Sequence, residues 1–296
     1  MIINFTKMEG CGNDYVYIEG ISQRIPQDIK PELVRKLSDR HFGIGGDGVI
    51  FINDSQIADF EMEMYNADGS RGEMCGNGIR CVGKFVYDYG LTNKTQITVE
   101  SFKKIKYLTL YPEDGFVKRV RVNMGPAILE AAEIPVLYSE EEGSPLTLDD
   151  GSRISCAVVD APLEIGEEVK RVTCVSMGNP HSVVFCNNVD KIDLEKIGPL
   201  FENSELFPER VNAEFVKVID EHTIEMRVWE RGSGETWACG TGACAVAVAA
   251  VENGLCKKNE PITVKLKGGN LVIEYTDDTV YLTGYAETVF EGEIEL

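Results

Sequence analysis

Residues 75–91 read CGNGIRCVGKFVYDYGL, and residues 239–255 read CGTGACAVAVAAVENGL. Aligned without a gap, the two share Cys-Gly-x-Gly at the start and Gly-Leu at the end. Each runs on into a strand-like segment, Ile97–Glu100 in one case and Ile262–Lys265 in the other. Upstream, Gly12–Asn13 leads into the apolar run Tyr15–Ile18, and Gly178–Asn179 leads into Ser182–Phe185. One order of parts therefore occurs twice: glycine–asparagine turn, strands, Cys-Gly-x-Gly, helix, strands. The period is far too long for a solenoid, whose units span about 20–50 residues. Two homologous halves are the natural reading.

Each Cys-Gly-x-Gly is expected to open a helix. Residues Ile79–Tyr89 and Ala243–Glu252 are good helix formers, and Gly90 and Gly254 stand where a helix ends on a left-handed glycine. The second helix, with its AVAVAAV run, is apolar on nearly every face, which predicts burial on all sides. Strand signals surround both helices: VIFI at 49–52, FEMEMY at 60–65, VKRVRV at 117–122, FVKVI at 215–219 and LVIEY at 271–275. The fold class is therefore α/β, with two pseudo-symmetric domains, each a curved, mostly antiparallel sheet wrapped around a central helix. Residues 138–153 (YSEEEGSPLTLDDGSR) are polar and turn-rich and read as a surface loop.

The 296 residues suffice for one large or two medium domains, and 43% hydrophobic with 26% charged residues is an ordinary globular composition. The N-terminus MIINFTKMEG lacks the basic and apolar regions of a signal peptide, and no apolar stretch reaches the roughly eighteen residues of a membrane span. A soluble, cytoplasmic protein is expected. The nine cysteines, odd in number and without a CxxC pair, argue against a disulfide framework or a structural zinc site. A net charge of −20 disfavours nucleic acid and anionic membranes as partners.

Halves related by a two-fold place equivalent residues opposite each other across a shared cleft. With Cys75 and Cys239 at such positions, one reaction class is favoured: removal of a proton from a tetrahedral carbon on one face and its return on the other. That inversion needs one deprotonated and one protonated group. A helix start lowers a thiol's pKa toward neutrality, where cysteine can serve as either. The N–H groups of the same helix starts can hold a carboxylate. A single cysteine beside glycine is ordinarily a buried structural thiol; two in matching turns of a repeat are not so easily dismissed. The other seven (Cys11, Cys81, Cys156, Cys174, Cys186, Cys244 and Cys256) are read as structural, with Cys11 and Cys244 nearest the site.

The segments GCGNDY (10–15), GIGGDG (43–48), MYNADGSRGEMCGNGIRC (64–81), VSMGNPH (175–181), RVNAEF (210–215) and ERGSGETWACGTGAC (230–244) resemble those of the diaminopimelate epimerases, in that family's order and over essentially the whole chain. The resemblance implies interconversion of LL- and meso-diaminopimelate, a step toward lysine and bacterial cell wall, without pyridoxal phosphate or metal. It implies a homodimer, and two similar α/β domains: residues 1–122 with 284–296 carrying Cys75, and 123–283 carrying Cys239. Carried over by residue, Cys75 and Cys239 are the acid/base thiols. Gly76, Asn77, Gly240 and Thr241 would hold the α-carboxylate, with Asn13 near the α-amino end. Asn66, Asn179, Asn212, Glu230 and Arg231 would read the distal amino-acid head, while His181 and Glu230 would tune the thiols. A second zwitterionic head does want both signs of charge, and Glu230–Arg231 supplies one of each, although a solvated surface pair is the plainer reading of two adjacent charges. The asparagines beside Gly, Asp or Pro also suit plain turn chemistry, and a structural role for His181 is equally open.

Two positions depart from the family. Some members carry a substrate-contacting glutamine where this chain has Gly48, and Trp237 replaces a smaller or polar residue, either narrowing the cleft or packing against the second half. Three other readings compete. Residues 43–48 match GxGxxG, but they follow a helical stretch and precede a strand, the reverse of a dinucleotide fingerprint. A non-catalytic amino-acid-binding protein would need no thiol pair. A proline, hydroxyproline or histidine racemase would not need Glu230, Arg231, Asn66 and Asn212 together.

Overall fold

The computed structural model of the chain describes residues 2–72, 74–138, 144–147, 151 and 153–295. The chain divides into two compact units, residues 1–123 with 283–296, and residues 124–282. Among the described residues no helix is long and apolar enough to cross a membrane.

The first unit opens with β1 (Ile2–Gly10) and β2 (Asn13–Glu19), an antiparallel hairpin turning at Cys11 and Gly12, whose φ values are 57° and 79°. The short α1 (Gly20–Gln23) and then α2 (Lys30–Ser38) lead to β3 (Gly48–Asn53), which runs parallel to β2. β4 (Phe60–Asn66) returns antiparallel to β3, α3 (Gly76–Asp88) follows, and β5 (Gln96–Ser101) runs parallel to β4. β6 (Lys104–Glu113) and β7 (Phe116–Gly125) complete the ladder antiparallel. The C-terminal strand lies antiparallel on β1, from Ile2 opposite Glu295 to Glu9 opposite Glu287.

In the second unit a 3₁₀ turn (Ala131–Glu133) precedes the small hairpin β8 (Ser144–Thr147) and β9 (Arg153–Ala157). This hairpin falls within residues 138–153, read from the sequence as a loop; residues 139–143, 148–150 and 152 lie outside the described residues. Then come β10 (Ala161–Ile165), β11 (Glu168–Ser176), β12 (Pro180–Phe185), α4 (Leu194–Glu202), β13 (Asn212–Asp220), β14 (Thr223–Glu230), β15 (Gly234–Thr236), α5 (Gly240–Glu252), β16 (Pro261–Leu266), β17 (Gly269–Tyr275) and β18 (Val280–Tyr285). The last strand is β19 (Glu287–Glu295).

The pairings repeat. β11–β12 is an antiparallel hairpin, β13 runs parallel to β12 across α4, and β14 returns antiparallel. After α5, β16 runs parallel to β14 and β17 pairs antiparallel with β16. Apart from the short β15 added on β14, this is the order of β1 to β6, so the repeat in the sequence is a repeat in topology. The fold is α/β, mostly sheet with few helices.

The two central helices carry out the sequence's instructions. α5 is sealed from solvent from Ala243 to Ala250, as a helix apolar on every face must be. In α3 burial extends over Gly76–Val86 and so includes charged residues. Lys84 is accommodated by Asp88 one turn on (2.6 Å) and by the Val117 carbonyl (2.9 Å). Gly90 and Gly254 follow the helix ends with φ of 72° and 68°, conformations a Cβ disfavours. Val16, Ile18, Leu33, Val34, Leu37, Val49 and Phe51 form a core under α2 in the first unit. Phe201, Phe207, Phe215, Leu163 and Val172 form one under α4 in the second.

The first unit also holds a buried charge cluster on β4. Glu63 accepts from Lys30 (2.5 Å), Gln27 (2.5 Å) and Asn53 (2.8 Å), and Arg71 pairs with it. Burial alone would raise its pKa, but hydrogen bonds from Lys30 and Gln27, with the Lys30 charge and Asn53, outweigh that and bring it down to about 2. A depressed carboxylate pKa stabilises the native state above the unfolded value of 4.5, and that stability is lost as the pH falls toward about 2. The shift corresponds to about 3 kcal/mol. Glu63→Gln should lower the unfolding free energy from urea titration at neutral pH by a comparable amount and flatten the acid limb of stability against pH. A variant that loses stability on acidification as steeply as wild type would refute this.

Gly48 stands opposite Asn66 on β4 and Tyr15 on β2. A Cβ there would sit 2.0 Å from the Tyr65 carbonyl oxygen, a backbone atom that cannot swing aside. No side chain fits without moving β3 off β4, so a glutamine cannot simply be placed here. Gly48→Gln should destabilise the chain by about 2 kcal/mol or more, measured by chemical denaturation; wild-type stability would show the strands to be slack.

Candidate active site

Both Cys-Gly-x-Gly cysteines are helix N-caps. Cys75 caps α3 with φ −129° and ψ 116°, and Cys239 caps α5 with φ −115° and ψ 112°. In each case the sulfur accepts the N–H three residues on, Gly78 or Gly242, at 3.3 Å. Serine, threonine and aspartate usually take this place; here the capping atom is a thiol sulfur. The consequence is that each sulfur is pinned at the positive end of a thirteen-residue helix, beside the N–H groups of the first turn.

The surroundings of the two sulfurs differ. Cys75 Sγ donates to Asn13 Oδ1 at 3.1 Å, and Asn13 Nδ2 donates to Asp47 at 2.6 Å. Arg40 then bridges Asp47 (2.9 Å) and Asp14 (2.7 Å), tying the 43–48 loop to the β1–β2 turn. Five residues after Cys75, Arg80 is fully buried. Its guanidinium donates to the Gly76 carbonyl (3.0 Å), Asn77 Oδ1 (2.9 Å), the Tyr285 carbonyl (3.2 Å) and Cys11 Sγ (3.6 Å), so it holds Asn77 and the β1–β2 turn against the helix start. The position equivalent to Arg80 in the second half is Cys244. Asn66 ends β4, its amide on Ser70 at 3.0 Å.

Around Cys239 the charges are negative. Glu230, at the end of β14, accepts from the Thr236 hydroxyl and hydrogen-bonds Cys239. The Thr241 hydroxyl lies 3.5 Å from Cys239 Sγ. His181 on β12 is wholly buried between Asn179 Oδ1 (3.1 Å from Nε2) and Glu214 Oε1 (2.7 Å from Nδ1). Asn212, level with His181 on the parallel neighbour strand, donates to the Pro180 carbonyl (3.0 Å) and accepts the Arg231 N–H (2.9 Å). The Arg231 guanidinium reaches the Glu209 carbonyl at 2.7 Å rather than Glu230. The structure thus gathers Asn13, Cys75, Gly76 and Asn77 around α3, with Asn66 on β4. It gathers Asn179, His181, Asn212, Glu230, Arg231, Cys239, Gly240 and Thr241 around α5.

One expectation fails at Cys239. A helix start should lower a thiol's pKa, yet burial first, and then the charges of Glu230 and Glu214, push this thiol well up, against the hydrogen bonds of Thr241 and Gly242. Glu230 is itself raised by burial, with the Glu214 charge adding to it, against the hydrogen bonds of Thr236 and Cys239 and the charge of His181. Trp237 is 57% exposed, with the Lys267 ammonium 5.5 Å from its ring, and so does not pack in the core of its own unit. Sequence reasoning passed over Glu214, Arg80 and Asp47. The one signal for Glu214 was a charge inside the otherwise apolar strand Ala213–Val216.

Among the described residues no cluster of His, Cys, Asp and Glu is arranged to hold a metal ion. The family model described as diaminopimelate epimerase matches residues 5–130 and 173–289. A diaminopimelate epimerase of Agathobacter rectalis is 51% identical, covering 99% of this chain and 100% of the relative. One from Methanococcus maripaludis is 51% identical over 99% of this chain and 100% of its own. Among solved structures, a Bacillus anthracis PhzF-family phenazine biosynthesis protein matches over 100% of both chains with a TM-score of 0.70 at 17% identity. A hydroxyproline epimerase from Agrobacterium vitis matches with a TM-score of 0.64 at 13% identity, over 99% of this chain and 91% of that one, a likeness of fold alone. With a full-length match at half identity and both cysteine turns inside the matched segments, the chain belongs to the diaminopimelate epimerase family.

Proposed function

We propose that the chain is an isomerase that interconverts LL- and meso-2,6-diaminopimelate by proton transfer at one α-carbon, without pyridoxal phosphate or metal. The observation that carries this reading is the pair of cysteine N-caps, alike in backbone angles and sulfur hydrogen bond, in two units of the same topology. Relatives named for this activity support the substrate.

The α-carboxylate is bound by the starts of α3 and α5, through Gly76, Asn77, Gly240 and Thr241. Negative charge grows there as the α-proton leaves, so these N–H groups favour the carbanion over the ground state. One thiolate removes the proton while the opposite thiol supplies one from the other face, and the two cysteines exchange roles in the reverse direction. Asn13, already on the Cys75 sulfur, serves the α-amino end. Asn66, Asn179, Asn212, Glu230 and Arg231 read the distal zwitterion, Arg231 taking its carboxylate and Glu230 its ammonium. His181 and Glu230 set the protonation of Cys239. A place in lysine and peptidoglycan precursor synthesis, a cytoplasmic location and a homodimer complete the reading, supported by the family.

The test is an epimerase assay on LL-diaminopimelate, with glutamate, proline and histidine as comparators. Cys75→Ala and Cys239→Ala should each lower turnover by about 10³-fold, with the fold retained by circular dichroism. In deuterated water the product should gain α-deuterium ahead of the substrate. Equal early labelling of both would mean a single base and would overturn the two-thiol mechanism; turnover of proline alone would overturn the substrate.

A further inference from the structure

Glu214 has no part in the mechanism so far, yet its placement is unusual. It lies on β13, between β12 and β14, and is fully buried. Oε1 is 2.7 Å from His181 Nδ1. A Cβ on Gly242 would come within 2.8 Å of the same oxygen, so the carboxylate rests against the first turn of α5, two residues from where Cys239 caps it. Oε2 is buried with no hydrogen-bond partner among the described residues. A carboxylate this desolvated is expensive to keep charged unless something nearby requires it.

The imidazole sets the proton count. Asn179 Oδ1 accepts from His181 Nε2 at 3.1 Å, so Nε2 carries a hydrogen. Between Nδ1 and Glu214 Oε1 one further proton is then shared, as imidazolium with carboxylate or as imidazole with carboxylic acid; the pair is neutral overall either way. In the charged form it is a dipole whose negative end abuts the start of α5 and whose positive end points away toward Asn179. The other titratable groups facing this spot are Glu230 from β14, Cys239 from α5, and Cys174 from β11. The Cys174 thiol is pushed up to about 12, by burial and then by the Glu214 charge.

We propose that Glu214 is a positioning residue for the Cys239 half-reaction: with its negative end at the helix start it cancels part of the helix's pull on the thiolate, so that Cys239 rests as the thiol and begins the cycle as the acid. Its proton goes to the substrate carbanion as Cys75, a thiolate once the proton it donates to Asn13 has left to solvent, takes up the α-proton. Each sulfur changes by one proton and the sum is unchanged. Without Glu214 that part of the helix's pull on the thiolate would return, leaving burial and the Glu230 charge to oppose it and narrowing the difference between the two sulfurs. This assignment rests on the two-thiol reading.

Glu214→Gln is isosteric, and its amide can donate to Nδ1, which leaves the hydrogen on Nε2 and the fold undisturbed. Thiolate ultraviolet absorbance against pH, taken as the difference between each protein and its Cys239→Ser counterpart, reads this sulfur alone. In Glu214→Gln the half-titration point should move down by about half a unit, a roughly threefold gain in thiolate on the slope. The alkaline limb of turnover against pH should move down by the same half unit, as expected when the general acid ionises earlier, with KM within twofold. An unmoved titration overturns the proposal, even if stability or turnover falls. In the wild type, with no variant needed, ring ¹⁵N signals of His181 should show hydrogen on Nε2; a bare Nε2 also overturns it. Failure of the epimerase reading would show separately, as absence of α-hydrogen exchange in an intact enzyme whatever the titration.

Discussion

The sulfur-to-backbone hydrogen bond at the head of each central helix is the contact on which the rest depends. A helix start leaves N–H groups without partners, and something must satisfy the one that Gly78 or Gly242 presents. When that partner is a cysteine sulfur, capping and reactivity become one property. The thiol is oriented by the same bond that ends the helix, and the helix supplies the field in which it titrates. The glycines around each cysteine follow. At Gly242 a Cβ would lie 2.8 Å from the buried Glu214 carboxylate, and at Gly78 2.8 Å from the Ile50 side chain. Glycine lets helix, strand and sulfur lie this close without displacing either neighbour.

The duplicated topology gives equivalent positions to residues that have since diverged. In the first unit the helix start is backed by the buried Arg80 cation and the Asn13–Asp47 chain. In the second it is backed by Glu230, Glu214 and His181. Two cysteines in the same backbone geometry thus meet different surroundings, a cation and a carboxylate near one and carboxylates around the other. Under the two-thiol reading proposed above, such inequality has a use, because one thiol must lack the proton that the other holds. Burial enlarges the difference at Cys239, since in a low dielectric each nearby charge counts for more than at the surface.

Much of this was legible in the chain alone. The Cys-Gly-x-Gly repeat, with Gly-Leu closing each helix, is a local pattern. Local patterns determine helix starts and stops, because capping and left-handed glycine act within a turn. The apolar AVAVAAV run determined that α5 is buried on every side, because no polar face exists to turn toward water. The α/β class followed from strands of period two alternating with these helices.

What the tertiary structure alone decided is long-range. Glu214 reads as any charge in a strand until β12 is laid parallel to β13 and sets His181 beside it. Arg80 reads as an exposed helix residue until the carbonyls of Gly76 and Tyr285 and the side chain of Asn77 enclose it. Gly48 looks like a lost substrate contact until the Tyr65 carbonyl is found where a side chain would begin. The raised Cys239 thiol lay furthest from view. The sign of a pKa shift is a sum of burial, helix field and neighbouring charge, and two of those three exist only once distant strands have packed.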